Sequence, residues 1–192
     1  MSKGKVNIFK ILFAFLITAS VVAMIFFISQ SEAYSENERA DWPTFDNEEF
    51  EYSIRYPGDW YIHTGGFLPP NTVIFTQSES FNPEAETEAS TPHISLTVKD
   101  LKEESPTEDL DEYINLEASE LRRGSASDEK FGEHDVRRLR RQAAGTESEV
   151  EMFYIKRGQR LIRIGVFPAQ EESIEIAKEM IKTLKFNNGQ NP

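Results

Sequence analysis

The stretch Phe50–Trp60, FEYSIRYPGDW, is the clearest structural signal in the chain. Its aromatic and aliphatic residues alternate with polar ones, and successive side chains of a strand point to opposite faces. The stretch therefore predicts a strand with one core face, on which Ile54 is buried, while Ser53 faces solvent. A Pro-Gly pair then ends the strand, because proline lacks a backbone donor and glycine permits a turn. Trp60 follows at once, so we expect a central hairpin that other elements cover.

The composition narrows the classes of function. The 192-residue chain has no cysteine, which excludes a disulfide scaffold, thiol catalysis, cysteine-based metal sites and an acylated lipoprotein anchor. Its formal net charge is −12, and a domain this acidic should repel nucleic acid at long range. The acidic residues either keep the domain soluble or attract cations or a basic partner.

An apolar run near the N-terminus, Ile11–Ile28, follows three lysines. As a helix it would span roughly 27 Å, close to the bilayer core of about 30 Å. Lysines on its N-terminal side would keep that end in the cytoplasm and place the rest of the chain on the extracytoplasmic side. The run predicts an uncleaved transmembrane anchor; the alternative is a signal peptide cleaved near Ala33, which would leave a secreted or lumenal protein. The predicted organisation is an anchor or signal segment at 1–33, a polar tether at 34–41 and a domain at 42–192.

Short strands and two helices account for the predicted domain. Trp42–Glu49 is expected to be an irregular lead-in with a turn at Asp46-Asn47. Single strands are predicted at Trp60–His63, Thr72–Gln77, His93–Lys99 and Val136–Ala143. One helix is predicted to start at Ser105–Glu108 and end at Gly124, and another has its apolar stripe between Ile174 and Leu184. This order of strands and helices predicts an α+β fold, with helices packed on a central antiparallel sheet.

The segment Ser148–Phe167 is predicted to be a hairpin whose register follows from its loop. A three-residue loop, Lys156-Arg157-Gly158, would place Gly158 at positive φ. In that register Met152 faces Ile162, Val150 faces Ile164, and Glu151 faces Arg163 on the other side.

The pattern W-x-T-F-x-N followed by F-x-Y-S-I-x-Y-P-x-x-W, at Trp42–Trp60, resembles the PsbP-like family. The order of strands, helices and hairpin as far as Phe186 is similar too. The resemblance implies an α/β/α sandwich on the extracytoplasmic or lumenal side of a membrane. Its best-known members are photosystem II accessory proteins associated with calcium and chloride retention. It therefore implies a non-enzymatic binding or accessory module, and a photosystem II accessory protein in a thylakoid lumen is the narrower alternative.

The residues give little support to catalysis. The three histidines, His63, His93 and His134, are far apart in sequence, and no metalloprotease, serine-hydrolase or phosphate-loop motif occurs. His93 is expected to be solvated on the outer face of its strand. The acidic loop Ser78–Pro92 is either solvated or binds calcium weakly, since it lacks the ligand spacing of a calcium loop. No other cofactor is predicted, and a hydrolase with an unrecognised carboxylate site is the remaining enzymatic alternative.

Two groups of residues are candidates for contact with a protein partner. Phe67 and Leu68 lie beside a Gly-Gly pair, and they either adapt to a partner's surface or pack under the edge of the sheet. The second group is a basic cluster on one predicted strand, made of Arg137, Arg138, Arg140 and Arg141. These arginines either dock onto an acidic partner or pair with glutamates of a neighbouring strand, namely Glu147, Glu149 and Glu151.

Overall fold

Two antiparallel sheets and short helices build the part of the chain that this computed structural model describes, namely residues 39–81, 91–104, 109–119, 124–142 and 148–186. The strands are β1 (Thr44–Asn47), β2 (Tyr52–Arg55), β3 (Tyr61–Thr64), β4 (Thr72–Thr76), β5 (His93–Asp100), β6 (Gly124–Phe131), β7 (His134–Gln142), β8 (Glu149–Arg157), β9 (Arg160–Phe167) and β10 (Lys185–Phe186). The helices are α1 (Leu101–Glu104), α2 (Leu110–Ser119) and α3 (Glu171–Thr183).

The larger sheet has seven strands in the order β3-β4-β5-β9-β8-β7-β6, and the smaller has the order β1-β2-β10. The two longer helices cover opposite faces of the larger sheet. Tyr113 and Ile114 of α2 pack with Leu139 of β7, whereas His134 of the same strand bonds the backbone carbonyl of Leu184, just after α3. Residues 134 and 139 are an odd number apart on one strand, so their side chains leave the sheet on opposite faces. The predicted α+β fold with antiparallel strands is confirmed, but the strands form two sheets instead of the single central sheet that was expected.

The prediction of a central hairpin at Phe50–Trp60 is wrong. β2 is the middle strand of the smaller sheet, whereas Trp60 leads into β3 at the edge of the larger one. The turn that joins them, with Trp60 N–H donating to the Pro57 carbonyl at 3.0 Å, directs the chain into the other sheet. The burial of Ile54 was nevertheless predicted correctly, since this residue is 1% exposed. The sheets meet through aromatic rings, where Phe75 of β4 lies 5.9 Å from Phe45 between ring centroids.

The lead-in predicted at Trp42–Glu49 contains a strand. β1 pairs with β2, so that Phe45 lies opposite Ile54. The turn comes after Asn47 rather than at Asp46-Asn47, because the Asn47 side chain accepts a hydrogen bond from the Phe50 N–H and holds the reversal at that point. Glu51 completes it at a φ of 56°, a region that residues with a β-carbon seldom occupy.

The β8–β9 hairpin has the predicted glycine conformation but a different register. Gly158 has a φ of 60°, as expected, yet it forms a two-residue turn with Gln159 and leaves Arg157 opposite Arg160. Met152 therefore faces Gly165 instead of Ile162, and Glu151 faces Val166 instead of Arg163. Two-residue turns with glycine at their first position are common hairpin connections, because their backbone twist matches that of the strands.

The remaining elements differ from the predictions mainly at their ends. Gly124 does not close a helix but begins β6, a strand that was not predicted. The predicted helix start at Ser105–Glu108 lies outside the described residues. The C-terminal helix is confirmed as α3, which buries the predicted stripe from Ile174 to Ile181 and ends at Thr183.

Within the described parts of the chain, no helix is both long and apolar enough to cross a membrane. The predicted anchor at Ile11–Ile28 lies outside them.

Candidate functional site

The connection between β3 and β4 exposes the first partner candidate. Gly65 and Gly66 both have positive φ, at 68° and 65°, which glycine adopts without steric cost. The Leu68 N–H donates to the Gly65 carbonyl at 3.1 Å and closes a turn across Phe67. The Phe67 side chain is 84% exposed, whereas Leu68 is half-buried. The exposure of Phe67 excludes packing of its ring under the sheet edge, which was one of the two alternatives. We call Gly65–Pro70 the Phe67 turn.

The four predicted arginines do not form one basic surface. Arg137 and Arg141 lie on the face of β7 that carries Leu139 and contacts α2, because residues two apart share a face. Arg138 and Arg140 project from the opposite face. The sheet itself therefore separates the four guanidinium groups into two pairs.

On the α2 face, Arg137 lies close to two carboxylates. Its Nη1 lies 2.7 Å from Asp128 of β6, and its Nε lies 3.9 Å from Asp111 of α2. The hydrogen bond that Arg137 donates to the Asp128 carboxylate raises the pKa of Arg137, an effect that desolvation partly opposes. The Nε of Arg141 is buried and has no hydrogen-bond partner among the described residues.

On the other face, Arg138 and Arg140 pair with glutamates of both neighbouring strands. Arg138 Nε donates to Glu151 of β8, and its Nη1 lies 2.9 Å from Glu129 of β6. Arg140 Nη2 lies 2.8 Å from Glu149, and its Nε lies 3.7 Å from Glu151. These contacts agree with the cross-strand pairing considered from the sequence. Glu147, also considered as a partner, lies outside the described residues.

Glu151 is the unusual member of this network, because its side chain is 0% exposed. The hydrogen bond that Arg138 donates to the Glu151 carboxylate is the main cause that raises the pKa of Arg138. The Arg138 guanidinium also lies over the Phe153 ring, 6.0 Å from its centroid. A carboxylate held in a protein interior needs such partners, since burying an unpaired charge is costly. Arg138 and Arg140 thus offset the burial of Glu151, whose Oε2 accepts no hydrogen bond from the described residues.

Sequence reasoning missed a row of rings at one end of the larger sheet. Phe81 lies between two imidazoles, with ring-centroid distances of 5.5 Å to His63 and 5.2 Å to His93. His93 also contacts Phe167 at 5.5 Å. His93 is therefore not the solvated residue that was expected, and its burial lowers its pKa. The strand order β3-β4-β5 brings these rings together, and sequence spacing carries no signal for it.

The histidines do not share a site. His63 Nε2 lies 3.0 Å from the Ser78 carbonyl, and His134 Nε2 lies 3.0 Å from the Leu184 carbonyl. His63 and His93 each contact the ring of Phe81. Among the residues that the structure describes, no group of three or more histidine, aspartate or glutamate side chains could hold a metal ion. Most of the acidic loop considered for calcium, residues 82–90, lies outside those residues.

The larger sheet has two edge strands, β3 and β6, and sequence reasoning did not identify either as an edge. β3 carries Tyr-Ile-His-Thr, of which Tyr61 and Thr64 are exposed. The Phe67 turn follows directly on β3, so an exposed aromatic ring and an edge strand are neighbours. These two features form the candidate partner-binding site of the domain.

Comparison with known proteins shows likenesses of fold. No protein-family model matches the chain. No curated protein matches it either. The chain is similar to a crystal structure from Bacteroides thetaiotaomicron, with 19% identity and a TM-score of 0.51, over 77% of this chain and 49% of that one. It thus spans about half the length of that relative.

A second similar structure is the solution structure of cyanobacterial PsbP, CyanoP, from Synechocystis. It has 13% identity and a TM-score of 0.48, and the match covers 80% of this chain and 96% of that one. The family that the sequence resembles is thus among the matched structures. The likeness to the Bacteroides thetaiotaomicron structure, at 19% identity, concerns the fold alone.

Proposed function

We propose that the protein is a non-enzymatic accessory module that binds a protein partner outside the cytoplasm. The observation that carries the proposal is the exposure of Phe67. Of the large hydrophobic side chains that the structure describes as exposed, Tyr61 is at 45% and Leu116 at 43%, against 84% for Phe67. Burying a phenylalanine side chain is worth about 1.5–3 kcal/mol, so a partner that covers this ring gains affinity.

The non-enzymatic part of the proposal is supported by the placement of the histidines. His134 Nε2 lies within hydrogen-bond distance of the Leu184 carbonyl, and His63 Nε2 within that distance of the Ser78 carbonyl. General acid–base catalysis needs a group within hydrogen-bond reach of a reacting atom. Imidazoles already paired with backbone carbonyls favour a binding role over acid–base catalysis.

The proposed extracytoplasmic location is supported by the N-terminal sequence. The apolar run Ile11–Ile28, with lysines before it, supports an uncleaved anchor and a domain on the extracytoplasmic side. An alkaline wash of native membranes, followed by N-terminal sequencing, tests this part. We expect the full chain to stay in the pellet, and a soluble product that starts near Tyr34 would replace the anchor with a cleaved signal peptide.

Site-specific photocrosslinking in native membranes tests partner binding. A benzophenone amino acid replaces Phe67 in one variant and Leu116, the matched exposed hydrophobe on α2, in another. We expect a discrete protein adduct from position 67 that position 116 does not give. The same adduct from both positions, or none from position 67, would contradict the proposal.

A further inference from the structure

The outer side of β3 is open to a further strand. Within the described chain, β3 pairs with β4 on one side and has no strand on the other. An edge strand presents backbone N–H and C=O groups to whatever lies beside it. The edge is therefore a place where an extended segment could continue the sheet.

The two edges of the sheet are protected differently. β6 carries Asp128, Glu129 and Lys130, and charged side chains on an edge strand discourage pairing with other chains. β3 has no Asp, Glu, Lys, Arg or Pro in Tyr61–Thr64. Proteins commonly place charged residues or proline on edge strands that must not pair with another chain. β3 has none of these residues.

The sequence around β3 has no lysine or arginine side chain that could attract a negatively charged partner. The chain has no lysine or arginine between Arg55 and Lys99, a range that includes all of β3 and β4. Asp59, just before β3, and Glu79, just after β4, are both exposed. Two exposed carboxylates therefore lie next in sequence to β3 and β4, at an edge of the sheet to which the described residues add no further strand.

We propose that β3 binds an extended, lysine- or arginine-bearing segment of the partner protein, which adds a strand to the larger sheet. Backbone hydrogen bonds to Tyr61–Thr64 would hold the segment. Its positive side chains would lie near Asp59 and Glu79, and one of its ends would reach the Phe67 turn. The inference rests on the proposed partner-binding function and names the chemistry of the partner.

A second copy of this chain fits the edge less well. Two copies would each bring a net charge of −12, and neither would present a lysine or arginine from β3 or β4 to offset it. Like charges placed side by side oppose association. Charge complementarity thus favours a basic partner strand over self-pairing.

The test uses a defined probe and the full-length chain in phosphatidylcholine nanodiscs, whose lipids carry no net charge. The probe is a fluorescent peptide of alternating lysine and valine, and its binding is followed by anisotropy. A glutamate–valine peptide and a lysine–valine peptide with alternate N-methylated amides serve as controls. Hydrogen–deuterium exchange reports which backbone amides become protected.

We expect the lysine–valine peptide to bind and to protect amides in Tyr61–Thr64 but not in β6. The N-methylated peptide keeps the charge and loses hydrogen bonds, so its binding should be at least about tenfold weaker. Thr64→Lys should weaken binding about two- to fivefold and Thr64→Glu should strengthen it, whereas Ser125→Lys on β6 should leave it unchanged.

Three results would overturn the inference. Equal binding of the methylated and unmethylated peptides would mean charge attraction without strand addition. Absence of binding, or protection only outside β3, would mean that the edge is not the site. Concentration-dependent self-association that protects β3 would make a second copy the occupant. In each of these cases a photocrosslinked adduct at position 67 could still form. The proposed function and this inference can therefore fail separately.

Discussion

Replacing Arg138 by methionine tests whether the buried carboxylate of Glu151 determines the stability of the β7–β8 side of the sheet. Methionine keeps most of the aliphatic stem and removes the guanidinium. Glu151, whose side chain is 0% exposed in the parent protein, would then lose its nearest partner. Removing one partner of a buried ion pair costs about 3–5 kcal/mol. We expect a loss near 3 kcal/mol, because Arg140 Nε remains 3.7 Å from the carboxylate.

Arg137 offers a matched control on the same strand. The side chains of Arg137 and Arg138 are 24% and 23% exposed, so their own burial is nearly equal. The carboxylates that pair with Arg137 are exposed, however, at 83% for Asp128 and 74% for Asp111. Arg137→Met should therefore cost less than about 1 kcal/mol, the usual value of an exposed pair.

Urea denaturation of both variants measures the difference. For a domain of this size, a loss of about 3 kcal/mol should also lower the melting temperature by roughly 6–12 °C. A second change, Glu151→Leu in the Arg138→Met background, should recover most of the loss, since an apolar replacement of a buried pair is often neutral. Equal effects of Arg137→Met and Arg138→Met would refute the reasoning, because burial of the partner carboxylate would then not matter.

Three further predictions concern the core, the β8–β9 turn and the ring row. Ile54→Ala should lower the free energy of unfolding by about 2–5 kcal/mol because Ile54 is 1% exposed, whereas Ser53→Ala should change it little in the same urea titration. Gly158→Val should destabilise by about 1–2 kcal/mol because its φ is 60°, and Gly158→Asn should be tolerated; equal melting temperatures would show that φ does not limit this position. Burial lowers the pKa of His93, so below a pH of about 6.5 the unfolded state binds its proton more tightly and stability falls. Urea titrations at neutral and acid pH should show a smaller loss for His93→Gln than for the parent, and an identical loss would contradict this.

The fold class could be predicted from the sequence because burial patterns are local. β5 buries Ile94, Leu96 and Val98, and the alternation that predicted this is visible in the residues themselves. The register of β8 could not be predicted in the same way. Met152 to Ile155 are all buried, because β8 lies in the interior of a sheet that is covered on both faces. A strand that is buried on both faces has no alternation of apolar and polar residues to specify its register. The predicted register therefore depended on the length of the turn alone. A two-residue turn accommodates Gly158 at positive φ as well as the predicted three-residue loop does.

The candidate site depended on strand order, which the sequence does not encode locally. The exposed position of Phe67 was one of two alternatives, and its exposure of 84% decides between them. The separation of Arg137 from Arg138 was available from strand parity alone, since adjacent residues face opposite ways. The contact between His63 and His93 through Phe81 required the order β3-β4-β5, and no spacing rule supplies that order.

The features of the β3 edge come partly from the local sequence and partly from the strand order. The long interval without lysine or arginine, from Arg55 to Lys99, is plain in the sequence, but alone it describes only composition. The strand order places part of that interval at an unpaired edge and the Phe67 turn at its end. The Asp59 carboxylate, the backbone groups of β3 and the Phe67 ring then follow one another along the chain. A basic extended strand could satisfy all three together, whereas a compact acidic surface could satisfy only the ring.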